Sequence, residues 1–351
     1  MKRTGKTSSP AYLGALKKLT GIIHTEYPDG GKLPGAPEMC RRLGICMVTY
    51  IKILKILSHE SLLVTSKGRR GTYVPPKNER RTKIGIVVRN AEESPFLGEI
   101  PVMTEALKTL NQERFVLHLL QSSRVENVYE KALIHAVDAI LWFNPDEEAL
   151  PAITQIQRET DLPILTLDLW SREPRRFVEQ ENINCVMQDS NWEYELLADY
   201  ALQNGHSSVL RIDQQSKLHS ERFMETFRRK GIPFTPDHYV LPADVRTQLP
   251  RKLRELHPTL IIAEGGFAIY RQICDLASAL PENRRPVLLI RDAGNLPEDG
   301  MRSLYPSLHF AGKMRNDFEK IGQEGALMMT RHLRNGEPLG QKRVKCFSIV
   351  P

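Results

Sequence analysis

The sequence predicts a chain in two parts, a small N-terminal α+β unit followed by a two-lobed α/β domain with parallel sheets. Three observations predict it. Residues 32–74 place two short helical segments ahead of two β-prone runs that flank a basic, glycine-containing turn. Residues 1–82 carry 16 Lys or Arg against 5 Asp or Glu, net +11, whereas the remainder carries 33 against 37, net −4. From Lys83 onward, short apolar runs alternate with helical patterns in the βαβ rhythm of an open parallel sheet.

In the first part, Tyr12, Leu16, Leu19 and Ile23 recur at helical spacing. Met39 and Leu43 form the inner face of a second helix, and Tyr50, Ile53, Leu54 and Leu57 that of a third. Gly44 lies between these two, where a tight turn needs a positive φ. Lys52 and Lys55 fall off the apolar stripe, on a face that can meet phosphates. Residues 62–65 and 72–74 read as a hairpin whose turn, Lys67-Gly68-Arg69-Arg70-Gly71, carries three cations. Three helices closed by such a ribbon make a winged helix-turn-helix, expected over residues 1–76. A positive field confined to this unit is what a nucleic-acid module needs.

Residues 77–82 follow Pro75-Pro76 with a polar, charged composition and read as a linker. Residues 83–351 then form the larger domain. Strands are expected near 83–88, 115–120, 138–143 and 163–168, with helices near 97–111, 124–136 and 147–160. A second series has strands near 208–213, 238–241, 259–263 and 287–291, with helices near 190–204, 219–230, 246–256 and 267–279. Two such series imply two lobes with a cleft between them, completed by a helix near 316–334 and a tail over 344–350. A 351-residue chain with 41% hydrophobic residues can bury cores of that size.

The composition also narrows the function classes. No run of about 18 apolar residues and no signal-peptide pattern is present, so a cytoplasmic protein without membrane contact is expected. Cys40, Cys46, Cys185, Cys274 and Cys346 lack metal-binding or CxxC spacing, which predicts reduced thiols and no metal or cofactor. GxSxG, Walker A, HExxH and strand-following GxGxxG motifs are all missing, so no enzyme is expected.

Residues 10–76 resemble the GntR-type winged helix through Leu33-Pro34, Glu38, Leu43-Gly44-Ile45, Thr49, Leu54, Leu57, Leu62 and Gly71-Thr72-Tyr73-Val74. Residues 83–351 resemble the LacI-type sensor, itself similar to periplasmic sugar-binding proteins. The matching stretches are Val186-Met187-Gln188-Asp189, Asn204-Gly205-His206, Ser220-Glu221-Arg222-Phe223, Lys230-Gly231-Ile232 and Gly322. The pairing resembles arabinose-type repressors. Departures fall at the start of the recognition helix, where Cys46-Met47 replaces Ser-Arg. Gly35 also stands in for a serine, and Arg69 for a wing glycine. Cysteine is a poor N-cap and methionine cannot bond guanine, which shifts the expected DNA affinity toward the wing and the later helix cations.

Thr49 and Tyr50 lie early on the recognition helix, where side chains reach base edges, although Tyr50 can also pack inward. Arg41 and Arg42 end the preceding helix, and with Lys52, Lys55, Arg69 and Arg70 complete the expected DNA-binding set. For the sensor, the resemblance implies a ligand at the carboxyl ends of the parallel strands. It implies one wall from Asn90 to Phe96, another at Asp168 or Trp170, and Asp189 at the start of a cleft-facing helix. It also implies ligand contacts from Arg222, Glu264 and Asp292, with Phe267 a further stacking candidate. His206 reads as a turn or packing residue.

The resulting expectation is a homodimeric transcriptional regulator, repression being its usual sense. It would bind double-stranded operator DNA under control of a small polar metabolite, expected to be a sugar. The rival readings are an enzyme-fused regulator and a ligand-independent DNA-binding dimer.

Overall fold

A computed structural model describes residues 10–65, 71–76, 79–88, 99–120, 125–145, 149–160, 162–167, 182–213, 217–291 and 298–350. The N-terminal head runs α1 (Pro10–Glu26), β1 (Gly31–Lys32), α2 (Ala36–Leu43), α3 (Met47–His59), β2 (Val64–Thr65) and β3 (Thr72–Val74). Its strands form an antiparallel sheet in the order β1-β3-β2, with Val64 opposite Tyr73 and Thr65 opposite Thr72. β1 was not expected from the sequence, because two residues are too few to show a period. The helical stripes turn inward as their spacing requires: Leu16, Leu19, Ile23, Met39, Tyr50, Ile53 and Leu57 share one core. Gly44 closes α2 at φ 69°, the left-handed conformation that the turn to α3 demands.

The first lobe runs β4 (Lys83–Val87), α4 (Glu99–Gln112), β5 (Val116–Leu119), α5 (Val125–Ile134), β6 (Ala139–Phe143), α6 (Ala149–Glu159), β7 (Ile164–Leu167) and β8 (Cys185–Gln188). The second runs α7 (Ser190–Gln203), β9 (Val209–Ile212), α8 (Lys217–Arg229), β10 (Tyr239–Val240), α9 (Val245–Leu256), β11 (Leu260–Ala263), α10 (Phe267–Ser278), β12 (Val287–Arg291), α11 (Glu298–Leu304) and β13 (Phe310–Asn316). The chain then returns through α12 (Phe318–Asn335) and β14 (Gln341–Val344) in the first lobe, and ends with β15 (Phe347–Val350) in the second.

The sheet orders are β14-β8-β7-β6-β4-β5 and β10-β9-β11-β12-β13-β15. All pairings in them are parallel except β13 with β15. Both faces of each sheet are covered, which explains the unbroken apolar strands. In β6, Leu141 and Phe143 face α4 and α12, while Ile140 and Trp142 face α5 and α6. Gly322 permits the close crossing of α12 and α4: a Cβ there would lie 2.1 Å from the Val102 carbonyl oxygen.

Three crossings join the lobes, after Gln188, after Asn316 and after Val344. They are tied together, since Asn316 Nδ2 donates to Gln188 Oε1 at 3.3 Å and the Asp189 and Asp317 amides donate to Val344 and Cys346. The expected linker is anchored at Arg80, whose guanidinium donates to Pro75 O at 2.8 Å and Tyr27 O at 3.1 Å. Beside it, Leu133, Ile134 and Ala136 of the first lobe pack onto the head's core. The head is therefore docked on the lobe as well as tethered to it.

Candidate functional site

The outer face of α3 is the first candidate surface. Lys52 and Lys55 are exposed, as their positions off the stripe predict. Met47, Val48 and Ile51 are exposed beside them. Cys46 caps α3 without a side-chain bond to the backbone. Its Sγ instead lies 3.3 Å from Thr49 Oγ1, and that hydrogen bond lowers the thiol pKa. Thr49 is half-buried in this position.

Tyr50 is corrected from a DNA contact to a core residue. It is 1% exposed because it shares a helical face with Ile53 and Leu57. Burial first, then Cys40, pushes its phenol up to about 12. Arg41 is exposed at the end of α2, whereas Arg42 pairs with Glu26 of α1 at 2.5 Å. Lys18 also donates to the Arg42 carbonyl at 2.6 Å. Arg69 and Arg70 lie outside the described residues.

The head meets the first lobe around a buried carboxylate. Glu60, just after α3, accepts from Lys83 Nζ at 2.7 Å through Oε2, and both side chains are 9% exposed. Lys83 also donates to the carbonyls of Glu60 and His135. His135 Nδ1 is 3.3 Å from Glu60 Oε1, His118 Nε2 is 4.0 Å from Oε2, and His59 Nδ1 is 3.6 Å from Oε1. Burial raises the Glu60 pKa, but bonds and charge from Lys83 and His135 outweigh it and hold it below the ordinary value. Burial lowers that of His118.

The second lobe gathers charge at the carboxyl ends of its strands. Arg211 of β9, 1% exposed, reaches Asp213 at 2.6 Å and Glu264 at 2.7 Å, with Glu193 of α7 at 3.7 Å. Arg291, ending β12, bonds Glu193 at 2.5 Å and lies 3.1 Å from Glu264. Phe223 lies under the Arg211 guanidinium at 4.2 Å, and Tyr239 donates its hydroxyl to Asp213 Oδ1 at 2.9 Å. The network reaches the hinge, because Gln188 Nε2 donates to Glu193 Oε2 at 2.5 Å. Three carboxylates against two guanidiniums leave a net negative charge. Burial above all then pushes the Glu264 carboxyl up to about 7, against the pull of Arg291 and Arg211.

Residues 81–265 match the family model of periplasmic binding proteins and the sugar binding domain of the LacI family. The chain belongs to this family. A regulatory protein of LacI family from Chloroflexus aggregans is similar in fold, at TM-score 0.57 and 12% identity over 77% of this chain and 96% of that one. Transcription regulator CcpA of Lactococcus lactis gives 0.51 and 13%, over 78% and 98%. The Lac repressor bound to ONPG in its repressed state gives 0.55 and 14%, over 97% and 98%. No curated protein sequence matches.

In this LacI-family sensor the structure brings together only part of the expected ligand set. Glu264 stands at the end of β11 as expected, but Arg211 and Arg291 engage it. Asp189 caps α7, accepting from the Trp192 amide at 3.2 Å, and Arg222 is half-buried on α8. Phe267 begins α10 with 46% of its surface exposed. His206 stacks on Tyr200 at 6.3 Å in the turn after α7, the packing role expected of it. Asn90, Phe96, Asp168, Trp170 and Asp292 lie outside the described residues.

Arg211, Glu193, Asp213 and Arg291 were not singled out in the sequence. A usable signal was there, since Val209-Leu210-Arg211-Ile212-Asp213 sets charges inside an apolar strand. Such a charge must have a buried partner.

Proposed function

We propose that this chain is a ligand-responsive transcription regulator, its head a GntR-like winged helix that binds operator DNA. In this reading a small polar metabolite, a sugar or sugar derivative, binds between the lobes of the sensor. The observation that carries it is α3. It is the second helix of a helix-turn-helix, it presents Lys52 and Lys55 outward, and it belongs to a unit of net charge +11 docked on a LacI-family sensor. The ion network supports the ligand class. Its partly exposed members, Glu264 and Arg291, stand at strand ends where hydroxyl groups can reach them, and Arg291 Nε has no hydrogen-bond acceptor among the described residues. The protein acts as a homodimer on a two-fold operator, as helix-turn-helix dimers do.

Ligand shifts the lobe equilibrium only by its differential affinity for the open and closed arrangements. β4 can carry that shift, since its first residue is the Lys83 that holds Glu60 of the head. Release of DNA on ligand binding is the expected sense.

Selection of duplexes from a random library by the full chain, followed by affinity against salt, tests the DNA half. A basic-surface reader loses affinity steeply with salt. Equal, weak binding to all duplexes would remove the operator reading. A thermal-shift panel of sugars and sugar phosphates tests the sensor, because a ligand of the native state raises the midpoint. No shift across the panel would favour a ligand-independent dimer.

A further inference from the structure

The apolar half of α3's outer face is unexplained by the head's own packing. Met47 is 40%, Val48 64% and Ile51 46% exposed, all within the first turn and a half. Eleven large hydrophobic residues are exposed among the described residues, and these three fall within five consecutive positions. Lys52 and Lys55 follow on the same side, so the face is apolar toward its N-terminal end and cationic toward its C-terminal end.

Resting on the DNA-binding reading above, we propose that Val48 and Ile51 read thymine 5-methyl groups in the major groove, so that the operator half-site carries thymines beneath the first turns of α3. In a helix-turn-helix the N-terminal residues of the second helix meet base edges. Met47, Val48 and Ile51 have neither donors nor strong acceptors, so they form no bidentate pair with guanine or adenine. The one apolar group on a base edge in that groove is the thymine methyl. Lys52 and Lys55 supply the charge complement, holding the helix against the phosphates on either side. Specificity in this reader is then carried by methyl contacts, with the half-buried Thr49 set back from the face.

The experiment replaces thymine by deoxyuridine in duplexes selected by the full-length protein, which removes the methyl and keeps the base pairing. Each contacted methyl lost lowers affinity about fourfold, the change expected for one buried CH2-sized group. Val48→Ser with Ile51→Ser, both at exposed positions, gives a protein that melts like the parent and binds the thymine and deoxyuridine duplexes equally. Half-sites without thymine under α3, or parent protein indifferent to the methyl, would overturn the inference while leaving DNA binding intact. A change of oligomeric state in the double variant without any loss of methyl discrimination would also overturn it, marking the face as a contact between copies. Absence of binding to every duplex would instead sink the DNA-binding reading itself.

Discussion

Arg211 shows how much a single residue can organise. Its guanidinium is buried among Asp213, Glu264 and Glu193, and the attraction of these carboxylates outweighs the burial that would lower its pKa. Arg211→Met removes the cation and leaves buried negative charge, which costs about 3–5 kcal/mol. Urea unfolding should show that loss, and a midpoint within error of the parent would contradict the network. Glu264 carries the pH dependence. Its folded pKa, about 7, lies above the ordinary carboxyl value of 4.5. Its contribution to stability is therefore complete below about 4.5 and lost as pH rises through about 7. Glu264→Gln should flatten the change in urea midpoint between pH 5 and pH 8, and an unchanged slope would assign the titration elsewhere. The sequence showed Glu264 as a strand-end carboxylate, but not that it is engaged. Arg211, 53 residues earlier, and Arg291 reach it only because β9 and β12 both flank β11.

At the scale of elements, what could be seen in the sequence followed from period and length. Doubly covered strands such as β6 and β11 are continuous apolar runs, and helices such as α7 and α12 carry their stripe over several turns, so both stood out. β1, with only two residues, showed no period. β13 begins at Phe310 and runs through Gly312, Lys313 and Arg315, too polar to read as a buried strand, and its antiparallel partner β15 is a return from the far end of the chain. The crossing of α12 over α4 was equally hidden. Gly322 matched a motif, but its reason is steric, since any side chain meets the backbone of α4. Gly322→Ala must push the helices apart and should cost about 1–3 kcal/mol, the range for overpacking a closed core. A thermal midpoint unchanged in this variant would show that the crossing can relax.

For the whole molecule, the decisive contact is the one that joins head to sensor. A tethered head would report little of what the lobes do, whereas a docked one moves with the strand that holds it. Lys83 starts β4, hydrogen-bonds Glu60 of the head, and donates its amide to Asp138 Oδ2 at the start of the neighbouring β6. Lys83→Met leaves the Glu60 carboxylate buried with only histidines about it, at a cost of about 3–5 kcal/mol to the docked arrangement. The head has its own core and the sensor its own sheets, so each should still bind its partner. Communication between them should fail: the ratio of DNA affinities with and without an effector identified by the thermal-shift panel falls toward one in the variant. Acid should do the same to the parent. His118 has a folded pKa below 6.5, so its neutral form begins to cost stability as pH falls through 6.5. Glu60, held below 4.5, keeps its contribution above about 4.5 and loses it as pH falls from there through its folded value. His59, His135 and Lys83 face the same carboxylate. Effector response should therefore weaken from about pH 6.5 downward before either binding activity is lost. A response ratio that is flat with pH and intact in Lys83→Met would place the transmission elsewhere than this ion pair.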